Sequence, residues 1–223
     1  MDGPCTTLST PPARLAVLIS GNGTNLQAVI DACRTEDLAA EVVVVVSNVD
    51  TAYGLKRAAT AGIDTVVVER LPGEQRSVYD SRLAAVVRDH SPDVVVLAGW
   101  MRILTNEFLD QFPNRVVNLH PALPGELPGT RAIERAWQEA LAGERTHSGV
   151  MVHLVPDEGV DDGPVLISES VEVRLDDTLD TFTERMHAVE HRLLVDALRQ
   201  LCDGMVAAHP SSPHPPRTPA EQQ

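Results

Sequence analysis

The segment RLAVLISGNGTNLQAVIDACR, residues 14–34, decides the fold class, because it contains a strand, a glycine-rich turn and a helix in that order. Its first seven residues form an aliphatic run, which is typical of a strand buried on both faces. From residue 25 onwards the apolar residues recur at helical spacing instead. A strand that leads directly into a helix is the repeating unit of α/β folds with parallel sheets.

The same alternation continues along the chain. Further short apolar runs lie at 41–48, 63–69, 93–99 and 115–120, with helical segments between them. After a helix near 131–142, two more runs are joined by PDEGVDDG, which is too short for a crossover helix and therefore predicts antiparallel pairing. The runs are 147–155 and 163–173, and a long helix is predicted over roughly 177–202.

We therefore predict a single-domain, Rossmann-like three-layer α/β sandwich, with a mostly parallel sheet and an antiparallel C-terminal strand pair. The predicted domain covers residues 14–205. Residues 1–13 are expected to be a disordered tail, and so is the proline-rich segment 206–223.

Composition narrows the class of function. The 223 residues carry a net charge of −14, which argues against a general affinity for nucleic acid or anionic membranes. No apolar run approaches the ~20 residues that span a bilayer, and the first residues do not resemble a signal peptide. Cys5, Cys33 and Cys202 are far apart and form no CxxC motif, as expected of a reduced protein. A soluble, cytoplasmic protein with small-molecule substrates is the expectation.

The turn SGNGTN, residues 20–25, is a candidate anion site. Small residues expose backbone N–H groups at the start of a helix, where anions bind, and Thr24 with Gln27 predicts a capping box. The turn matches neither GxGxxG nor the GxxxxGK[ST] loop. A tight turn without ligand remains an alternative, although ligands in open α/β sheets bind at this end of the strands.

Asn118 and His120, in VVNLHP, are candidate catalytic residues. Side chains two apart on a strand share a face, and Pro121 disfavours helical geometry at His120. An amide can donate to an oxyanion and an imidazole can transfer a proton, which suits acyl transfer through a tetrahedral intermediate. The alternative is that both side chains only satisfy backbone groups at the sheet edge.

The acidic turn DEGVDDGP, residues 157–164, offers a partner for the histidine. Asp161 or Asp162 could accept a hydrogen bond from the imidazole, which would raise the histidine pKa. The alternative is an ordinary turn with solvated carboxylates.

These motifs together resemble one family. SGNGTNLQAVIDA, SNVDTAYGLKRA, LAGWMRIL, NLHPAL and VHLVPDEGVDDGPV occur in an order and spacing similar to those of the phosphoribosylglycinamide formyltransferases, over about residues 14–205. The resemblance implies transfer of the formyl group of 10-formyltetrahydrofolate, a co-substrate, to the amine of phosphoribosylglycinamide in purine synthesis. It implies no metal and a monomer or homodimer.

The resemblance also implies roles for individual residues. Asn118 and His120 match the catalytic pair, and Asp161 matches the aspartate that orients and charges the histidine, which leaves Asp162 as a variable position. The ribonucleotide would be bound by Gly23, Thr24, Asn25 and Glu190. The folate would be bound by Arg76, Met101, Arg102, Ile103, Leu104 and Asn118.

The chain departs from the family pattern just after the histidine. Ala122, Pro124 and Gly125 replace a serine, a leucine and a proline, and Arg131 stands where a histidine is usual. A divergent enzyme that formylates a different amine, or a 10-formyltetrahydrofolate hydrolase, is therefore an alternative. A methionyl-tRNA formyltransferase is expected to be longer and basic.

Two alternatives belong to other classes of protein. HAVEH, residues 187–191, matches the HxxEH helix of some zinc peptidases, but such a site needs a third ligand well downstream. An α/β ligand-binding module with a degenerate site is the non-enzymatic alternative, and the presence of Asn118, His120 and Asp161 argues against it.

Overall fold

A computed structural model describes residues 11–174 and 176–208 of the chain. The strands of this part are β1 (Ala13–Ile19), β2 (Ala40–Ser47), β3 (Thr65–Val67), β4 (Val94–Leu97), β5 (Val116–His120), β6 (His147–Leu154) and β7 (Val165–Glu172). The helices are α1 (Thr24–Arg34), α2 (Tyr53–Thr60), α3 (Arg76–Asp89), α4 (Asn106–Leu109), α5 (Ala132–Leu141) and α6 (Leu179–Ala208).

The strands form one sheet in the order β3-β2-β1-β4-β5-β6-β7. Strands β1 to β5 are parallel to their neighbours, whereas β6 runs antiparallel to both β5 and β7. The predicted fold class is therefore confirmed. The strand order reverses between β1 and β4, and the loops after such a reversal form a crevice that open α/β sheets use for ligands.

Two apolar layers cover the sheet and explain its aliphatic runs. On β1, Leu15, Val17 and Ile19 face one layer, while Ala16 and Leu18 face the other. The first layer is packed by residues of α1, α2, α5 and α6, and the second by residues of α3 and α4. Successive side chains of a strand point to opposite faces of the sheet, and here both faces are apolar. The strands therefore appear in the sequence as unbroken runs of Val and Leu.

The elements differ from the prediction at β1, β3, α4 and both ends of α6. Strand β1 already includes Ala13 of the predicted N-terminal tail. The edge strand β3 covers only three residues, and the four-residue α4 was not predicted. Helix α6 begins at Leu179, because the Thr178 hydroxyl accepts the Thr181 N–H and caps the helix. It ends at Ala208, beyond the predicted domain limit of 205. The tail predictions otherwise fall on residues 1–10 and 209–223, outside the described residues.

The helices in residues 11–174 and 176–208 lack the combination of length and apolarity that crossing a bilayer requires.

Candidate active site

Asn118 and His120 lie together at the carboxyl end of β5. They point to one face of the sheet, and His120 is only 4% exposed while Asn118 is half-buried. Asp161 approaches both residues from the acidic turn. Its Oδ2 lies 3.2 Å from His120 Nδ1, and its Oδ1 accepts a hydrogen bond of 3.0 Å from Asn118 Nδ2. The structure thus brings the three predicted residues into direct contact.

The acidic turn selects Asp161 rather than Asp162 for this contact. Asp161 has φ = 55°, a left-handed conformation that a non-glycine residue rarely adopts and that functional sites often contain. Its Oδ2 also accepts the Gly129 N–H at 2.8 Å. Asp162 is exposed. The choice that the residues alone left open is therefore settled by geometry.

His153 is a buried member of the cluster that the sequence did not reveal. It pairs with Asn118 in the β5–β6 register, and its Nε2 lies 3.1 Å from Asn118 Nδ2 and 3.6 Å from Asp161 Oδ1. Its Nδ1 lies 2.9 Å from the Leu154 carbonyl, which can only accept. In the neutral ring Nδ1 therefore carries the hydrogen and Nε2 accepts from Asn118. A lone polar residue in the apolar strand VMVHLV was the available signal.

The loop that departs from the family pattern contributes backbone groups to the cluster. His120 Nε2 lies 3.0 Å from the Leu127 carbonyl oxygen, and Gly129 supplies its N–H to Asp161. Ala122 is fully buried, and Arg131 lies on the cavity wall. Because carbonyl and N–H groups are common to all residues, the loop can keep these contacts while its side chains change.

Burial dominates the electrostatics of His120. It lowers the pKa of the imidazole below its ordinary value, while the Asp161 carboxylate and the Leu127 carbonyl act in the opposite direction without overcoming it. The aspartate therefore acts in the predicted direction, but burial outweighs it. Burial also acts to raise the pKa of Asp161, but the neighbouring His153 ring, the hydrogen bond from the Gly129 N–H and the electrostatic effect of His120 outweigh it and hold that pKa below its ordinary value.

A cavity of about 370 Å³ opens in front of this cluster. Asn118, His120, His153 and Asp161 form its polar end, and the predicted folate residues Met101, Arg102, Ile103 and Leu104 form a largely apolar wall. The volume lies in the range of small-molecule sites. The predicted Arg76 lies in an adjoining hollow beside Met101, Arg102 and Ile103.

Asp80 holds the chain immediately after the Met101–Leu104 wall through a hydrogen bond. This α3 residue is 1% exposed, and its Oδ2 accepts the Thr105 N–H at 2.7 Å. Burial raises the pKa of its carboxyl group. The wall therefore has a fixed attachment immediately after Leu104, which the sequence did not indicate.

A second cavity, of about 260 Å³, lies over the glycine-rich turn. Gly23, Thr24 and Asn25 line it together with His187 of α6, and it shares Gly99 and Met101 with the larger cavity. The predicted capping box is wrong: the N-cap is Gly23 at φ = 73°, and no side chain caps the helix. The uncapped N–H groups at the start of α1 stay available for an anion.

Helix α2 supports this turn from behind. The Gly54 N–H donates to the Gly21 carbonyl at 3.1 Å, and Arg57 donates to the carbonyl and side-chain oxygens of Asn22, both at 2.9 Å. A Cβ at Gly54 would lie 2.4 Å from Ile19 Cδ1 and 3.3 Å from Gly23 Cα. Only glycine lets α2 approach the turn this closely.

Gly54→Ala is expected to lower the free energy of unfolding by about 1–3 kcal/mol, since the added methyl group overpacks the contact between α2 and the turn. It should also weaken anion binding at the turn by displacing Gly23. Urea denaturation and titration with inorganic phosphate measure the two effects. Gly204→Ala is the control, because a Cβ there meets open space. Wild-type stability in Gly54→Ala would show that the contact is not tight.

Glu190 is a buried carboxyl group on α6. It is 6% exposed, burial raises its pKa to about 7, and its Oε2 lies 3.7 Å from His187 Nε2. Because His187 lines the cavity over the glycine-rich turn, Glu190 lies next to the same cavity. His187 and His191 stack with ring centroids 6.4 Å apart.

Glu190→Gln is expected to change the pH dependence of stability. The folded pKa of about 7 exceeds the ordinary value of 4.5, so the protonated form favours folding at low pH and this contribution is lost as the pH rises to 7. Between pH 4 and pH 8, the wild type should lose about 3 kcal/mol more unfolding free energy than the variant. The unfolding free energy is measured by denaturation at several pH values. If it changes equally with pH in the wild type and in Glu190→Gln, the raised pKa of Glu190 is contradicted.

Comparison with known proteins identifies the relationship. The sequence model of a family described as formyl transferase matches residues 13–198. The chain belongs to the formyl transferase family. The match covers every strand and all catalytic candidates, so the cluster described above lies within the domain that defines the family.

Individual relatives in the formyl transferase family share most of their length with the chain. Phosphoribosylglycinamide formyltransferase of Dictyostelium discoideum is 44% identical over 200 residues, covering 84% of this chain and 97% of its own. The Escherichia coli (strain K12) protein of the same name is 40% identical over 195 residues, covering 87% and 90%. The solved structure of glycinamide ribonucleotide transformylase 1 from Symbiobacterium toebii superposes with a TM-score of 0.83 at 37% identity, covering 92% and 94%.

The HAVEH segment lies within the residues that the family model matches. It supplies Glu190 and the stacked histidines of α6. In the part of the chain that the structure describes, no group of three or more His, Cys, Asp or Glu side chains is placed to hold a metal ion.

Proposed function

We propose that the protein transfers the formyl group of 10-formyltetrahydrofolate to the amine of phosphoribosylglycinamide, a step of purine biosynthesis. The observation that carries the proposal is the contact of Asn118, His120 and Asp161 at the polar end of a cavity, in a chain that is over 40% identical to a phosphoribosylglycinamide formyltransferase. Formyl transfer needs an oxyanion donor and a proton-transfer group at one point, and this cluster supplies both types.

The two cavities support a separate binding site for each substrate. The apolar wall Met101–Leu104 suits the flat ring system of a folate, with Asn118 at its reacting end and Arg76 for the anionic tail. The N–H groups of Gly23, Thr24 and Asn25 suit the phosphate. Glu190, which lies beside His187 of the same cavity, would accept hydrogen bonds from the ribosyl hydroxyls. Because the cavities meet at Gly99 and Met101, the amine and the formyl group can approach each other there.

The residues then handle charge and protons. The amine nitrogen forms a bond to the formyl carbon, and the carbonyl oxygen becomes an oxyanion. Asn118 donates an N–H to it by exchanging the bond that this N–H now makes with His153 Nε2. His120 stabilises the same oxygen as the imidazolium, which Asp161 favours, when its Nε2–H exchanges the Leu127 carbonyl for that oxygen. The carbon–nitrogen bond to the folate then breaks, while one proton leaves the amine and one reaches the folate nitrogen through His120 or water.

The lowered pKa of His120 fits this task. Burial favours the neutral ring, which can take up a proton from the attacking amine, and the Asp161 carboxylate then stabilises the imidazolium that forms. Asp161 remains ionised because its own pKa is low.

A formyl-transfer assay tests the proposal. Loss of 10-formyltetrahydrofolate is followed with phosphoribosylglycinamide, with a panel of other primary amines, and with no acceptor. We expect turnover only with the ribonucleotide. Turnover with another amine but not with the ribonucleotide would indicate a different acceptor, which would be consistent with the altered loop around Gly125. Formate release without any acceptor would identify a hydrolase instead.

A further inference from the structure

An ion pair at the edge of the larger cavity has no part in the chemistry above. Arg76, the first residue of α3, pairs with Glu158 of the acidic turn. The other carboxylate oxygen of Glu158 accepts the Asn106 N–H at 3.3 Å, where α4 begins. The two side chains are 43% and 41% exposed, so the pair is reachable from solvent.

The pair connects the two walls of the cavity. One wall is the Met101–Leu104 segment, which has Arg76 beside it and is followed in the sequence by Asn106. The other wall is the acidic turn that carries Asp161. Glu158 is the side chain of that turn which reaches across to the first wall. If a ligand has its reacting end at Asn118 and an anionic tail at Arg76, the tail therefore approaches a guanidinium group that is already paired with Glu158.

One guanidinium cannot make the same paired hydrogen bonds to two carboxylates at once. We propose that Glu158 competes with the tail carboxylate of the folate for Arg76, and is thereby a specificity-determining residue for co-substrates with charged tails. This inference rests on the proposed function, because it takes Arg76 as the tail-binding cation. Exposed ion pairs are weak, so a tail displaces Glu158 readily, and the competition changes affinity by about two- to fivefold.

The test compares ligands that differ only in the tail. Tetrahydrofolate and the tetrahydropteroic acid carboxamide, in which a neutral amide replaces the glutamate, are titrated into the wild type and Glu158→Gln by calorimetry, and KM is measured with the formylated forms. In Glu158→Gln the Kd for tetrahydrofolate should fall by about two- to fivefold, with no change for the carboxamide. In an Arg76→Gln background, Glu158→Gln should have no further effect on either ligand.

Glu41→Gln is the matched control. Glu41 pairs with Arg14 at the opposite end of the parallel strands, with side-chain exposures of 43% for Arg14 and 50% for Glu41, so the change removes the same charge and a similar ion pair. It should leave the preference for the tailed ligand unaltered.

Two results would overturn the inference. An equal change for both ligands in Glu158→Gln would mean that Glu158 only holds the acidic turn. A persistent effect in the Arg76→Gln background would mean that Arg76 is not the contested group. Turnover tests the proposed function separately. If calorimetry follows the expected pattern but no formyl group is transferred to the ribonucleotide, the competition between Glu158 and the folate tail is supported and the proposed acceptor is contradicted.

Discussion

Asp161→Asn should lower kcat by about a thousandfold, because it removes the carboxylate that favours the charged form of His120. The amide can still accept the Gly129 N–H and fill the same volume, so the free energy of unfolding should change by only about 1 kcal/mol. Steady-state kinetics and urea denaturation measure the two quantities.

The pH dependence of this variant distinguishes a catalytic from a structural effect. Burial already lowers the pKa of His120, and without the opposing charge of Asp161 it should fall further. The variant should therefore regain part of its activity as the pH is lowered. Asp162→Asn, an exposed neighbour with the same change in charge, should behave like the wild type. A normal kcat in Asp161→Asn would remove Asp161 from the mechanism.

Asn118→Ala should lower kcat by about 100- to 1000-fold, the usual loss when one oxyanion donor is removed. KM for the folate should change much less, since the Met101–Leu104 wall is untouched. The truncation leaves His153 Nε2 and Asp161 Oδ1 without the Asn118 donor, so a stability loss of about 1–3 kcal/mol is expected as well.

His153→Leu separates these two consequences. It also breaks the Asn118–His153 hydrogen bond, but it keeps the amide that donates to the oxyanion. Its kcat should fall by about tenfold or less, since only the positioning of Asn118 is affected. Equal losses in the two variants would mean that Asn118 acts through the shape of the cluster and not as a donor.

The sequence predicted the fold well because its strands are buried on both faces. Continuous aliphatic runs and helical spacing identified the elements, and the short PDEGVDDG connection predicted the antiparallel pairing of β6 and β7. The start of α6 was misplaced because the hydrogen bond between Thr178 and Thr181 decides it.

The candidate site was predictable only in part. Strand periodicity placed Asn118 and His120 on one face, and the family resemblance selected Asp161. His153 could not be placed, since its contact with Asn118 depends on the β5–β6 register. The contributions of Leu127 and Gly129 come from backbone groups, which leave no mark on the sequence. Asp161 acts to raise the His120 pKa as predicted, but the larger opposite effect of burial could not be predicted, because the degree of burial is not visible in a motif.

The most direct test of the central claim is a single-turnover measurement of formyl transfer. Enzyme in excess is mixed rapidly with 10-formyltetrahydrofolate and phosphoribosylglycinamide, and the formylated ribonucleotide is quantified by mass spectrometry for the wild type, His120→Ala and Asp162→Asn. Stoichiometric product is expected at the same rate for the wild type and Asp162→Asn, and the rate for His120→Ala should be lower by about a thousandfold or more. Product formation by His120→Ala at the wild-type rate, or folate consumption by the wild type without a formylated ribonucleotide, would contradict the central claim.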